Sequence, residues 1–169
     1  MAGYPAGLVL DSVINDDSDD VELRVAFDFD GVLADDAAEQ VFQSHELEAF
    51  QRSESEQADI PHDAGPLQEL FVKIAELQEV EKARAAGAQH YERRLKVAII
   101  TSRNAPSHKR VVTSLRAWGI TVDQTFFLGG MDKLRILKTF RPHIFFNDQE
   151  LHLDSATTVA PCVHVPVRR

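Results

Sequence analysis

The chain has 169 residues, with 18 Lys and Arg against 27 Asp and Glu and a formal net charge of −9. That length suits one domain with a real core, and the acidic balance argues against a nucleic-acid surface or an anionic membrane as partner. No apolar run approaches the roughly 20 residues of a membrane span, the N-terminal stretch lacks the basic start and apolar core of a signal peptide, and Cys162, the single cysteine, excludes an intrachain disulfide, so a reducing cytoplasm is the expected setting.

Residues 1–22 read as an appendage, with Leu8-Val9-Leu10 as a short apolar run and 15–20 as an acidic linker. Residues 2–10 loosely echo 158–165, an echo weak enough for chance to be its better explanation. Residues 23–29 predict the first strand, apolar on both faces. Asp is disfavoured in strands, yet Asp28 and Asp30 stand where this one should stop, on one side of it, with Phe29 turned the other way into a core. Asp35-Asp36 offer an N-cap and an acidic first turn for a helix over Ala38, Val41, Phe42, His45 and Ala49, with His45 read as a core histidine before a ligand. Residues 52–66, with Pro61, Gly65 and Pro66, predict a loop. A second helix opens with Pro66 in its first turn and carries an apolar stripe of Leu67, Leu70, Phe71, Ile74 and Leu77. Two helices and a loop exceed a simple crossover, so 35–94 is expected to be a small helical cap inserted after the first strand, on an α/β core of 23–34 and 95–169.

Residues 95–100 predict the second strand, ending in Thr101-Ser102-Arg103-Asn104. Pro106 opens a helix with Val111, Val112, Leu115 and Trp118 inward and Gly119 at its C′ position. Residues 124–128 form the third strand, followed by Gly129-Gly130 and a short helix from Asp132. Residues 143–146 form the fourth, ending in Asn147-Asp148; a helix over 150–156 and a fifth strand over 163–165 complete the chain. Such alternation implies a Rossmann-like three-layer α/β fold with a parallel sheet, whose ligands sit outside the carboxyl ends of the strands. Asp28, Asp30, Thr101, Asn147 and Asp148 all fall at such ends, and Lys133 enters from the loop after the third strand.

The chemistry these residues support is attack on a phosphate ester. Two unit charges about 4 Å apart repel by about 4 kcal/mol at an effective dielectric near 20, so a carboxylate attacks phosphorus only if that repulsion is cancelled. Mg²⁺ cancels it, using one or two carboxylates, substrate oxygen and retained waters; Asp28 and Asp148 are the expected carboxylates. Lys133 and the Thr101 hydroxyl would hold the phosphoryl oxygens, and Asp30 would hand a proton to the leaving oxygen and take one from water. Singly, each has a blander reading: Thr101 as a helix cap, Lys133 as a solvated lysine, Asn147-Asp148 as a turn pair. Arg103, a cation at a helix start, opposes the dipole and points to an anionic ligand. Ser102 and Asn104 either cap that helix or join Gly31 and Arg103 in lining the substrate, while His108, Lys109 and Arg110 read as the helix's wet face.

Asp28-Phe29-Asp30-Gly31-Val32-Leu33 resembles the first motif of the haloacid dehalogenase-like phosphohydrolases, and Thr101, Lys133 and Asn147-Asp148 resemble the second, third and fourth. Leu115-Arg116-Ala117-Trp118-Gly119, Phe127-Leu128-Gly129-Gly130, residues 141–149 and Gly65-Pro66-Leu67 are similar to the cytosolic 5′-nucleotidase type I group and its bacterial relatives. The resemblance implies Mg²⁺-dependent hydrolysis of nucleoside 5′-monophosphates through an aspartyl-phosphate. By that carry-over Asp28 is the nucleophile and Asp30 the acid/base, lending its backbone carbonyl to the metal. The group usually shows two acids where this chain has Asn147-Asp148, so Asp148 is expected to hold the metal and Asn147 to weaken or retune it. Relatives also carry a long N-terminal region nearly absent here, so the expected partners include a missing N-terminal half or a homo-oligomer. Nothing in the cap names a base; Phe42, His45 and His62 are candidates for the far end of the substrate. The alternatives are a phosphatase for another small phosphate ester and a non-catalytic half of a longer protein. A signalling receiver domain is disfavoured, because its lone acceptor Asp ends a middle strand and it has no inserted helices.

Overall fold

The computed structural model describes residues 5–15, 17–36 and 47–166, the side chains of 47–49 excepted. In chain order the elements are β1 (Leu8–Val9), β2 (Leu23–Phe27), α1 (Leu47–Glu56), α2 (Gln68–Gly87), β3 (Leu95–Thr101), α3 (His108–Ala117), β4 (Gln124–Phe127), α4 (Leu134–Phe140), β5 (Ile144–Asn147), α5 (Glu150–Ala156) and β6 (Cys162–His164). They build one six-stranded sheet in the order β1-β6-β5-β2-β3-β4. Every pairing is parallel except β1 with β6. The expected Rossmann-like α/β architecture is therefore present.

Strand order reverses at β2. The chain moves outward through β3 and β4, then crosses to β5 on the other side of β2. In such sheets ligands bind outside the carboxyl ends of the strands at the reversal, here β2 and β5. Alternation along β2 divides the core into two layers. Val25 and Phe27 join Val97, Ile99, Val111 and Phe71 on one face, while Ala26 joins Ala98, Ile100, Leu137, Phe145 and Leu153 on the other. The Phe27 ring stacks on Phe146 with centroids 4.9 Å apart and meets Phe71 edge-on at 5.2 Å. Through Phe71, α2 packs directly on the sheet.

Several expectations need correction. β2 ends at Phe27, not at residue 29. Its ladder gains one more rung, Asp28 N–H to the Phe146 carbonyl at 2.8 Å, and then the chain turns, with Leu33 N–H bonding the Phe29 carbonyl at 2.9 Å. A turn, not strand alternation, therefore sets where Asp30 points. The loop expected over 52–66 begins with a helix instead, since α1 runs to Glu56. Of the expected α2 stripe, Leu67 and Phe71 are buried and Ile74 packs against the core, but Leu70 and Leu77 are exposed, and Ala75 and Gln78 are buried in their place. Gln78 turns inward because its amide donates to the Asp123 carboxylate. Helix α3 starts at His108 rather than Pro106, after a turn in which the His108 N–H and the Ser107 hydroxyl both bond the Asn104 carbonyl at 2.8 Å. Neither Ser102 nor Asn104 caps it; Ser107 holds the N-cap position. Arg110 is not on a wet face, because it reaches the Ile60 carbonyl and Glu54, each at 2.9 Å. Of the first expected helix, the candidates Phe42 and His45 lie outside the described residues.

The echo noted between the two ends has a spatial counterpart: Leu8 pairs His164 and Val9 pairs Val163, antiparallel. Gly65 fixes the entry to α2. A Cβ there would lie 2.3 Å from the Ala34 carbonyl oxygen, so only glycine permits the backbone contact that ties this segment to the turn after β2, where Gly65 N–H bonds the Leu33 carbonyl at 2.8 Å.

Candidate active site

Asp28 follows β2 directly, at the carboxyl end of the sheet where strand order reverses. It is 4 % exposed, its Oδ1 accepts the Phe29 N–H at 2.7 Å, and its Oδ2 is ion-paired with the Lys133 ammonium. Burial pushes its carboxyl above the ordinary range, the lysine pulls it down and Asp30 adds to the rise. Lys133 reaches it because two loops are laced together. Leu128 N–H bonds the Thr101 carbonyl at 2.9 Å, Gly129 N–H the Arg103 carbonyl at 3.2 Å and Gly130 N–H the Ser102 carbonyl at 3.1 Å. These bonds seat the loop after β4 on the loop after β3, and the Asp132 carboxylate then accepts the Leu134 N–H at 2.8 Å to start α4.

Asp148 follows β5 and lies against Gly31. A Cβ on Gly31 would fall 2.4 Å from Asp148 Oδ2 and 2.6 Å from its Cγ, and Gly31 itself has φ +69. Both facts require glycine. Burial, with the Asp28 charge second, raises the Asp148 carboxyl from 3.8 to about 7, and its Oδ1 is buried without a hydrogen-bond partner. Two carboxylates thus share a buried crevice with one ammonium. Burial and the Asp28 charge oppose ionisation of Asp148, and its Oδ1 is the buried acceptor left without a protein donor. Among the described residues no three His, Cys, Asp or Glu side chains converge as a metal cage. Two carboxylates, one of them with an unpartnered oxygen, suit a hard cation that keeps several waters, which is how Mg²⁺ is usually held. The donor set fits that ion.

Asn147 is fully buried. Its Oδ1 accepts the Gln149 N–H at 3.1 Å, and its Nδ2, a donor, has no partner. Its amide therefore serves the turn into α5, and Asp148 is the acid beside Asp28. Thr101 is buried at the tip of β3, where its hydroxyl oxygen accepts the Arg103 N–H at 3.2 Å; its own proton remains to donate. Ser102 and Asn104 are exposed on the rim.

Arg103 stands differently from the expectation that it meets an anionic ligand. It is buried, with Nε and Nη2 forked onto Asp30 at 2.8 and 2.7 Å and Nη1 on Glu54. Burial opposes its charge, but Asp30 and Glu54 outweigh burial and keep it cationic. Glu54, from α1, was missed. Burial alone would raise its carboxyl, but His62 and Arg103 hold it down to about 2. His62, proposed for the far end of a substrate, is buried instead, 3.5 Å from Glu54 and edge-on to Phe29. His152 on α5 has its imidazole pKa lowered by burial and by the Lys133 charge.

The family model of the 5′-nucleotidases matches residues 1–169. The chain belongs to the 5′-nucleotidase family. Cytosolic 5′-nucleotidase 1B of Homo sapiens is 36% identical over 138 residues, which make up 81% of this chain and 22% of the human protein. The chain therefore spans about a fifth of the length of that curated relative. A chain in the solved structure of a Pnkp1/Rnl/Hen1 complex shares the fold, with a TM-score of 0.58 at 14% identity over 92% of this chain and 50% of that one. As a 5′-nucleotidase family member with this sheet, the protein has the haloacid dehalogenase-like fold expected from its four motifs. Among the described residues no helix is long and apolar enough to cross a membrane.

Proposed function

We propose that the protein is a Mg²⁺-dependent 5′-nucleotidase that hydrolyses nucleoside 5′-monophosphates to nucleoside and phosphate. The observation that carries this reading is the buried pair Asp28 and Asp148, with the Asp148 carboxylate seated against Gly31 and its Oδ1 left without a protein donor. Asp28, Asp148 and the Asp30 carbonyl would hold the ion. When bound, Mg²⁺ supplies the charge that lets an anionic nucleophile approach an anionic ester.

The remaining steps belong to the chain. Asp28 Oδ attacks phosphorus, the P–O5′ bond breaks, and its electron pair stays on O5′, which takes a proton from Asp30. Lys133 and the Thr101 hydroxyl hold the equatorial oxygens as charge spreads over them. A water then attacks the aspartyl-phosphate and gives its proton to Asp30, and the bonding pair returns to Asp28. Lys133 also shields Asp28 from protonation in its buried seat. A cytosolic setting belongs to the same proposal and rests on the relative's name and the lone free thiol.

The test is phosphate release by the purified chain with Mg²⁺ over a panel of nucleoside 5′-monophosphates and other small phosphate esters. Turnover is expected to be highest with a nucleoside monophosphate, and Asp28→Asn to lose roughly 10⁴-fold or more, as expected for a removed nucleophile. Activity that survives chelation, or an Asp28→Asn protein that still turns over, overturns the mechanism. A preference for a non-nucleotide ester moves the substrate to another phosphate monoester.

A further inference from the structure

We propose that Glu54 and Arg103 are positioning residues for Asp30, so that the segment inserted after β2 aims the acid/base of the reaction. The inference rests on the nucleotidase reading above. Asp30 lies in the turn after β2, with its side chain 17% exposed. Its carboxylate is engaged edge-on by the Arg103 fork. A guanidinium is planar, so a two-point grip fixes the carboxylate plane as well as its place. Each oxygen keeps a second lone-pair site, which can carry the proton handed to a leaving oxygen and later receive one from water.

Arg103 is in turn over-determined. Its guanidinium carbon lies 5.6 Å from the ring centroids of both Phe29 and Phe50, and Nη1 also reaches the Ser107 carbonyl at 3.4 Å. It also grips Glu54, itself 2 % exposed, held by Arg110 at 2.9 Å and 3.5 Å from His62 Nε2. The series Arg110–Glu54–Arg103–Asp30 thus alternates in sign and runs from α3 through α1 to the acid/base. Buried ion pairs gain little stability over apolar packing. Three charged groups lined up from separate elements behind Asp30 fit an aiming device better than a stabilising one.

Leaving-group chemistry separates the two roles. A nucleoside O5′ needs the Asp30 proton to depart, whereas 4-nitrophenolate leaves without one. The ratio kcat/KM covers the steps up to leaving-group departure, and hydrolysis of the shared aspartyl-phosphate enters only kcat. Glu54→Gln and Arg103→Lys are therefore expected to lower kcat/KM by about 10- to 100-fold on the preferred nucleoside 5′-monophosphate, and by less than about 3-fold on 4-nitrophenyl phosphate. Arg110→Gln loosens Glu54 from outside without unpairing Arg103; it should move the same ratio less, and it carries the test if the buried variants show no cooperative melt. Equal losses on both esters in a folded variant, or an unchanged ratio in all folded variants, overturn the inference alone. A wild-type chain that hydrolyses neither ester overturns the nucleotidase reading and this inference with it.

Discussion

At the scale of single residues, Gly31 and Asp148 decide the electrostatics of the crevice. Asp148 is raised from 3.8 to about 7, chiefly by burial. A carboxyl whose folded pKa lies above its unfolded one binds protons more tightly when folded, so its contribution is present at acid pH and is lost as pH climbs from about 3.8 to about 7. Magnesium should reverse this loss, since a cation competes with that proton. Mg²⁺ is thus expected to raise the melting temperature more at pH 8 than at pH 5. Asp148→Asn should abolish the Mg²⁺ shift while melting no lower than wild type in chelator at pH 8, because it removes a buried charge. Gly31→Ala puts a methyl group onto the Asp148 carboxylate and strains a left-handed residue at a cost of about 1–2 kcal/mol; it should lose the Mg²⁺ shift as well. A Mg²⁺ shift of equal size at both pH values, or one retained in Asp148→Asn, would remove Asp148 from the ligand set.

At the scale of elements, α1 shows what the sequence could and could not reveal. Strands β2, β3 and β5 announce themselves through apolar runs, and the polar residues at their tips stand out because such residues are unwelcome there. Helix α5 was legible to its ends, Glu150 to Ala156. Helix α1 was legible only in its first turn, up to Phe50. Among its described residues the buried side chain is Glu54, and what satisfies Glu54 is a pair of arginines far away in sequence. Periodicity detects apolar burial and is blind to burial by pairing. The same blindness gave Arg103 to a ligand rather than to Asp30. The pairing predicts a pH signature. Glu54 is held at about 2 against an ordinary 4.5, so its contribution is present above about 4.5 and is lost as pH falls toward 2. In melting curves against pH, Glu54→Gln should lie well below wild type at pH 6 and converge with it near pH 2; parallel curves would mean that the pairs contribute nothing.

At the scale of the whole molecule, the question is whether the β1–β6 edge unfolds with the sheet or apart from it. Cys162 reports on it directly. The thiol is fully buried, burial raises it to about 11, and its Sγ lies 3.3 Å from the Ala160 carbonyl. Strand β6 is flanked by β5 on one side and by β1 on the other, and beyond β1 the Leu10 N–H bonds the Cys162 carbonyl at 3.0 Å. Leu10 also packs against the layer that contains Phe145, Leu153 and Cys162. An edge bound into the core in this way has no separate set of contacts to lose first, so the thiol should open only with the whole sheet. Labelling by an aromatic disulfide across a urea series is expected to share its midpoint with the loss of far-ultraviolet dichroism. Labelling that proceeds at a denaturant-independent rate well below that midpoint would show the edge opening on its own, leaving β2, β3 and β5 as the cooperative unit that holds the site.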